Sequence, residues 1–202
     1  MKKISSNNKD IAFFDFDGTI TIKDSFIDFL KYSKGNIDFF KGIIILSPLI
    51  IAFYLKKISS QKLKEAFINY YFNNWEIDQF INIANDYSKK RIIKIINPKA
   101  LRKIKWHQNK GDEVIVVTAS LEYWIENWCN EMNLKLIGTK IEVKNNRLTG
   151  KIQGKNCSGI EKVKRIKTLY DLMNYNIIYA YGNGSGDIEM LKISDKKFYR
   201  QF

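Results

Sequence analysis

Short apolar runs alternate along the chain with longer amphipathic stretches. The three clearest runs cover residues 11–16, 113–120 and 177–181, and each is rich in β-branched or aromatic side chains. Runs of this length and composition are typical of buried strands. Because they alternate with helical patterns, the sequence predicts an α/β fold with a mostly parallel sheet.

Helix and turn signals lie between these runs. Asn97 is a favourable N-cap, Pro98 suits the first helical position, and Gly111 suits the end of the same helix. Further helices are predicted over 25–91, 121–132 and 158–173. Further short strands are predicted over 134–152, with a turn at Asn145-Asn146, and over 196–202.

Polar residues end each of the three clearest strands. In a parallel sheet the binding site lies outside the carboxyl ends of the strands, so we expect these residues to meet. They are Asp15 and Asp17 after the first strand, Thr118 and Ser120 in the second, and Asn183 and Asp187 after the third.

Two carboxylates in one apolar crevice repel each other, and a divalent cation removes that cost. Mg²⁺ prefers oxygen ligands and usually keeps water or substrate phosphate in its shell. One carboxylate can attack phosphorus, and the other can pass protons to and from the leaving oxygen. Phe16, between Asp15 and Asp17, is expected to point into the core, and Gly18 lets the main chain approach a phosphate.

Four segments together resemble the motifs of the haloacid dehalogenase superfamily. They are "DFDGTIT" from Asp15, "VVTAS" up to Ser120, the lysine-bearing "GKNCSGIEKVKRIK", and "YGNGSGDIEML" from Tyr181. Their order and spacing are most similar to the phosphoserine-phosphatase-like branch. The second aspartate of the first motif resembles phosphatases rather than dehalogenases. The resemblance covers roughly residues 11–195.

The resemblance implies roles for particular residues. Asp15 would be the nucleophile that forms an aspartyl-phosphate, and Asp17 the general acid and base. Lys162 would neutralise charge on the nucleophile and the phosphoryl group. Phosphate contacts would come from Gly18, Thr19, Thr118, Ala119 and Ser120, although Ser120 is equally suited to cap a helix that starts at Leu121.

The resemblance also implies a Mg²⁺ cofactor. Asp15, the main-chain carbonyl of Asp17, Asn183 and Asp187 would hold it. The family commonly has aspartate at the position of Asn183. An amide offers a carbonyl oxygen without the negative charge, so metal affinity and the coordination shell are open at this position.

The family branch implies a Rossmann-like core and an inserted helical cap. We place the core at 10–21 and 97–202 and the cap at 22–96. The expected activity is hydrolysis of a phosphate monoester. Because a cap selects the substrate, its identity is open between a soluble metabolite such as phosphoserine and a lipid phosphate.

The composition limits the classes of binding partner that the protein can have. The chain of 202 residues has a formal net charge of +13. This charge favours binding of phosphorylated substrates, anionic membrane or nucleic acid. The alternative is that it only reflects a solvated basic surface. Residues 87–111 contain no Asp or Glu, so a non-catalytic protein that binds nucleic acid or anionic membrane is the alternative. The single histidine, His107, excludes most zinc sites and argues against a Ser-His-Asp enzyme. Two cysteines without C-x-x-C spacing and no secretory signal favour the cytoplasm.

The most unusual segment outside the motifs is residues 42–55, which carry no charge. As a helix they would span about 21 Å, short of a ~30 Å hydrocarbon core, and Pro48 would break or kink them. Two interpretations remain: a buried helical pair in the cap, or an interfacial segment that contacts the inner face of an anionic membrane. The layout is loosely similar to phosphatidylglycerophosphatases of the haloacid-dehalogenase type.

Overall fold

The computed structural model describes residues 9–202. A five-stranded sheet lies at its centre in the order β3-β2-β1-β6-β7, and every pairing in it is parallel. The strands in chain order are β1 Ile11–Phe14, β2 Glu113–Leu121, β3 Lys135–Thr139, β4 Ile141–Lys144, β5 Arg147–Ile152, β6 Ile178–Gly182 and β7 Lys196–Tyr199. β4 and β5 form a separate antiparallel hairpin. The predicted α/β fold is confirmed.

Helices cover both faces of the sheet. The two packed on one face are α5 Pro98–Asn109 and α6 Glu126–Glu131, and those on the other are α7 Ile160–Leu169 and α8 Ile188–Lys192. β1 is therefore buried on both sides, with Ala12 and Phe14 in one core cluster and Ile11 and Phe13 in the other. Burial on both faces explains why β1 is a continuous apolar run without alternation.

Two strands that lead into the predicted site, β1 and β2, end at other residues than the sequence prediction gave them. β1 ends at Phe14, because a tight turn over Phe16–Ile20 begins there, with Gly18 at a φ of 74°. β2 continues to Leu121, so the predicted helix over 121–132 is a 3₁₀ turn followed by α6. The Asn145-Asn146 turn is confirmed, and both residues have the positive φ that a tight hairpin requires.

A helical insertion, residues 22–96, lies in sequence between β1 and α5. Its elements are α1 Ser25–Tyr54, α2 Ser60–Phe72, α3 Ile77–Tyr87, a π-helical turn Ser88–Ile92 and α4 Ile93–Ile95. The chain enters and leaves at one neck, where the N–H of Ile22 donates to Ile95 O and that of Asn97 to Ile20 O. The division into a core domain and a cap domain stays a prediction.

Two residues shape α1. Gly35 interrupts it with a φ of 73° and a ψ of 168°, so the apolar helix, defined here as residues 36–54, has its own direction. Pro48 does not break the helix, which continues through this residue, and the alternative of a kink there stays a prediction. Proline cannot donate to the carbonyl of Ile44, but the Ser47 hydroxyl does so at 2.7 Å.

An aromatic cluster joins the insertion to the rest of the protein. The ring of Phe29 in α1 stacks on Trp124, which follows β2, with centroids 4.4 Å apart. Phe80 and Tyr87 of α3 meet the same Phe29 ring edge-on. Because all four side chains are fully buried, this packing fixes α1 and α3 above one end of the sheet.

His107 has a structural role in the core of the protein. It is fully buried in α5, its Nδ1 lies 2.7 Å from Asp112 Oδ2, and its Nε2 lies 2.9 Å from the Tyr181 hydroxyl. Burial lowers the pKa of the imidazole, against the opposing effect of Asp112. Cys129 and Cys157 are both free and buried.

Replacing His107→Phe tests this assignment. The variant leaves the Asp112 carboxylate and the Tyr181 hydroxyl without their imidazole partner. We expect the free energy of unfolding to fall by about 1–3 kcal/mol for each buried group left unpaired. Urea denaturation of both proteins at pH 7 measures the difference, and equal midpoints would contradict the structural role.

The pH dependence of the same pair gives a second measurement. Because the pKa of His107 is lowered by folding, the unfolded chain takes up a proton here more readily. The stabilisation is therefore complete above the ordinary histidine pKa of about 6.5 and declines below it. Between pH 7 and pH 5 wild type should lose more stability than His107→Phe; parallel curves would contradict the lowered pKa.

Candidate active site

The residues predicted to converge lie at one edge of the sheet. β2 and β6 flank β1 on either side and run parallel to it, so their carboxyl ends open together. Asp15 directly follows β1, Thr118 and Ser120 lie near the end of β2, and Asn183 and Asp187 follow β6. The topology therefore brings all three predicted groups to the same place.

A buried ion triad lies at the centre of this edge. The Nζ of Lys162 is 2.6 Å from Asp15 Oδ1 and 2.7 Å from Asp187 Oδ1. It also donates to the carbonyl of Val117 at 2.6 Å. Lys162 reaches the triad from α7 and is 1% exposed. The basic run "KVKRIK" thus contributes one buried lysine, rather than only a solvated helix face.

The triad leaves an excess of negative charge. Burial, together with the nearby Asp187 and Asp17, raises the pKa of Asp15 to about 7, although Lys162 opposes the shift. Burial works against the charge on Lys162, but the attraction of Asp15 and Asp187 outweighs it and raises the pKa of this ammonium. The crevice is therefore short of positive charge even with Lys162 in place.

Asp17 is turned away from the triad and toward the helical insertion. Its Oδ1 accepts the N–H of Ser25 at 2.7 Å, and its Oδ2 accepts the Ser120 hydroxyl at 2.5 Å. The hydroxyls of Ser25 and Ser120 are 3.1 Å apart. Burial, followed by the neighbouring Asp24, raises the pKa of Asp17.

The helix-capping alternative for Ser120 is wrong. β2 includes this residue and ends at Leu121, which is itself the N-cap of the 3₁₀ turn. The Ser120 side chain bonds Asp17 instead, and its N–H donates to the Thr118 hydroxyl at 3.0 Å. Thr118 is buried, so β2 presents an ordered hydroxyl pair at the edge.

The turn after Asp15 binds the Asp15 carboxylate through Oδ2, the oxygen that Lys162 does not contact. The Thr19 hydroxyl donates to Asp15 Oδ2 at 3.2 Å. Gly18 has a φ of 74°, and a Cβ there would overlap the side-chain amide of Asn183. Only glycine therefore allows the loops after β1 and β6 to approach this closely.

Lys64 is a residue of this region that the sequence did not reveal. From α2 it donates to the carbonyl of Ala119 at 2.5 Å and to Asn156 Oδ1 at 2.9 Å. Burial lowers the pKa of Lys64 to about 8, against the attraction of Asp17. The helical pattern of residues 61–72 draws attention to its apolar positions, and nothing in it indicates that one lysine crosses to β2.

The oxygen atoms here fit a hard cation. In residues 9–202 no three Asp, Glu, His or Cys side chains form a metal site by themselves. Mg²⁺ needs only one or two carboxylates, completed by carbonyl oxygens and water. Asp187 Oδ2 accepts the N–H groups of Asn183 at 3.0 Å and Gly184 at 2.9 Å. With the negative excess around Asp15, this donor set suits Mg²⁺ better than zinc.

Comparison with known proteins shows the family to which the chain belongs. The model of the haloacid dehalogenase-like hydrolases matches residues 12–192, and the chain belongs to that family. It is 34% identical over 191 residues to Protein CicA of Caulobacter vibrioides, a match that covers 94% of this chain and 85% of that protein.

Solved structures share the fold. A protein of unknown function from Bordetella pertussis Tohama I aligns with a TM-score of 0.80 and 19% identity, covering 93% of this chain and 88% of that one. A phosphoserine phosphatase, described as a phospho-aspartyl intermediate analogue, aligns with a TM-score of 0.66 and 19% identity, covering 95% and 86%. The predicted resemblance to the phosphoserine-phosphatase-like branch is confirmed.

Removing Lys162 tests the electrostatics of the triad. Lys162→Met leaves Asp15 and Asp187 buried together without their cation. We expect the free energy of unfolding to fall by about 3–5 kcal/mol at neutral pH, because a buried charge loses its partner. The matched control is Lys164→Met, two residues along the same helix and exposed. Equal denaturation midpoints for the two variants would show that the triad adds no stability.

Proposed function

We propose that the protein is a Mg²⁺-dependent phosphatase that hydrolyses phosphate monoesters through an aspartyl-phosphate on Asp15. The observation that carries the proposal is the position of this carboxylate at the carboxyl end of the central strand, bonded by Lys162 and Thr19. Membership of the hydrolase family and the described phospho-aspartyl form of a structural relative support it.

Two carboxylates would share the reaction. The Asp15 oxygen attacks phosphorus while the bond from phosphorus to the ester oxygen breaks, and Asp17 gives its proton to the departing oxygen. Asp17 then takes a proton from the water that attacks the phosphorus, and phosphate leaves with Asp15 restored. Hydrogen bonds from Ser25 and Ser120 hold the Asp17 carboxyl in the structure, and it would turn from them toward the substrate for these transfers.

Other residues would hold the phosphoryl group and the metal. Thr118, the N–H of Ala119, Lys162 and the turn at Gly18 and Thr19 would bind phosphate oxygens. Asp15, the carbonyl of Asp17 and the amide oxygen of Asn183 would bind Mg²⁺, with Asp187 in support. When bound, the ion neutralises charge on the phosphoryl oxygens.

The helical insertion would act as the cap that selects the substrate. Lys64 and Ser25 both come from it and reach residues of β2 or the Asp17 carboxylate. The candidate substrates are phosphoserine and a lipid phosphate monoester such as phosphatidylglycerophosphate. A hydrolase fold with all these groups assembled argues against the binding-only alternative for the basic residues 87–111.

Asp15→Asn tests the nucleophile. An amide is a poor nucleophile toward phosphorus, so hydrolysis of an aryl phosphate in Mg²⁺ should fall by at least about 10³-fold, an effect of ~4 kcal/mol on the barrier. Thermal denaturation checks that the variant is folded. The control, Asp78→Asn, changes an exposed aspartate and should keep full activity.

Locating the intermediate separates this mechanism from its rivals. Rapid acid quench with labelled substrate should place the phosphate on Asp15 in wild type and give no label in the variant. Label on another residue, or normal turnover by Asp15→Asn, would refute the mechanism.

Asn183→Asp tests the metal site. The substitution supplies a negative oxygen beside the Asp17–Gly18 turn, so less Mg²⁺ should be needed for half-maximal activity. We expect a shift on the order of tenfold, or ~1.4 kcal/mol. Calorimetric titration with Mg²⁺ measures binding independently of turnover, and unchanged affinity would mean that residue 183 is not a ligand.

A further inference from the structure

The apolar helix, residues 36–54, has an unusual outward face. Five of its exposed large side chains are spaced by three, four or seven residues and therefore lie along one stripe, and Ile45 lies beside that stripe. Each of them is between 56% and 77% exposed: Ile37, Phe40, Ile44, Ile45, Ile51 and Tyr54, which we call the outer apolar face. The interpretation of this segment as a buried helical pair is therefore wrong for that side of the helix.

The opposite side of the helix packs on the insertion and fixes its rotation. Phe39, Gly42 and Leu46 are buried there. The Tyr71 hydroxyl donates to the carbonyl of Phe39 at 2.7 Å, and a Cβ on Gly42 would overlap that same tyrosine. The apolar residues on the outside are therefore held outward by tertiary contacts, where a surface helix normally carries polar side chains.

The whole of α1, Ser25–Tyr54, is long and apolar enough to cross a membrane by length and composition, but only 17% of an apolar 18-residue window in it is buried. A core helix of a soluble protein would be mostly buried. Residues 36–54 span about 28 Å. Because one side already packs on α2, the helix cannot be surrounded by lipid in this fold. It can lie flat with its outer face in the interface.

Positive charge flanks the outer apolar face. Lys41 lies on the same stripe near its start, paired with Asp38 at 3.0 Å, and Lys56 and Lys57 follow its end. All three lysines are exposed, and no charged residue lies between Gly42 and Leu55. An apolar stripe bordered by lysines is complementary to lipid tails below anionic headgroups.

A second copy of the chain fits this surface poorly. Two-fold pairing of the stripe would bring lysines of the two copies together whether the helices run parallel or antiparallel, and each chain carries a net charge of +13. An anionic bilayer instead offers apolar tails to the stripe and negative headgroups to its flanks. We propose that the outer apolar face binds the surface of a bilayer rich in anionic phospholipid.

Vesicle sedimentation tests the docking surface. Wild type should sediment with vesicles of phosphatidylcholine and phosphatidylglycerol, and much less with phosphatidylcholine alone. Ile44→Glu and Ile51→Glu should each weaken binding by about tenfold or more, since each places a charge where an apolar side chain enters the interface. The matched control is Leu169→Glu in α7, which is 63% exposed and apolar and should bind as wild type does.

Two further measurements separate the alternatives. Melting temperatures of Ile44→Glu and Ile51→Glu should equal that of wild type, because both side chains are exposed; a large loss would overturn the outward placement. Replacing both Lys56 and Lys57 by Glu should reduce binding to the vesicles that contain phosphatidylglycerol. Binding to vesicles of phosphatidylcholine should not change. Sedimentation velocity should show a monomer. A dimer that Ile44→Glu dissociates, with no vesicle binding by wild type, would overturn the proposal in favour of self-association.

The docking surface does not depend on the proposed phosphatase activity. No residue of the outer apolar face belongs to the candidate active site, so binding of a catalytically dead Asp15→Asn variant should equal that of wild type. Loss of vesicle binding in that variant would show that sedimentation reports the active site instead, and would overturn the proposal.

Discussion

The arrangement of the whole active-site edge depends on one buried lysine between two carboxylates. Lys162 contacts Asp15 after β1, Asp187 after β6, and the carbonyl of Val117 in β2. It therefore ties together the ends of three adjacent strands through one ammonium group. Three such groups are tolerated in an almost water-free crevice only because each has several partners. The remaining negative charge suits the site to a cation, which would in turn offset the repulsion between these carboxylates and a phosphate.

The sheet and the helical insertion contribute different groups to the region around this triad. The sheet and the turns that follow its strands hold Asp15, Asn183 and the ordered hydroxyl of Thr118. The helical insertion contributes the N–H of Ser25 to Asp17 and the ammonium of Lys64 to Ala119. The proposed nucleophile therefore belongs to the sheet, while the proposed proton donor is positioned from both parts.

Much of the sheet could be predicted from the sequence because its three central strands, β1, β2 and β6, are buried on both faces. Continuous apolar runs such as residues 114–117 have few alternative structures, and parallel topology then brings Asp15, Thr118 and Asp187 together. The exact ends were harder to predict. The stop of β1 at Phe14 depends on the turn at Gly18, and the capping potential of Ser120 is overridden by its bond to Asp17. Local patterns describe neighbours in sequence, whereas both outcomes are set by partners far along the chain.

The insertion was less predictable for the same reason. Pro48 indicated a break, but one serine hydroxyl supplies the missing donor and the helix continues. Lys64 has no sequence signature, since its partners Ala119 and Asn156 lie more than fifty positions away. The exposure of Ile44 and Ile51 also could not be predicted from composition. An apolar segment has the same composition whether its side chains are buried or exposed.

The short contact from Ser25 to Asp17 has a consequence for how this architecture can evolve. Ser25 is the first residue of α1, so the position of the whole insertion is coupled to the carboxyl that would handle protons. The insertion is thus not a freely exchangeable module. A graft of helices from a relative would have to reproduce this one peptide N–H, together with the Ser25–Ser120 hydroxyl pair, before any gain in selectivity could be seen. Divergence of substrate preference is therefore expected to proceed by changes farther along the helices, with the start of α1 kept constant.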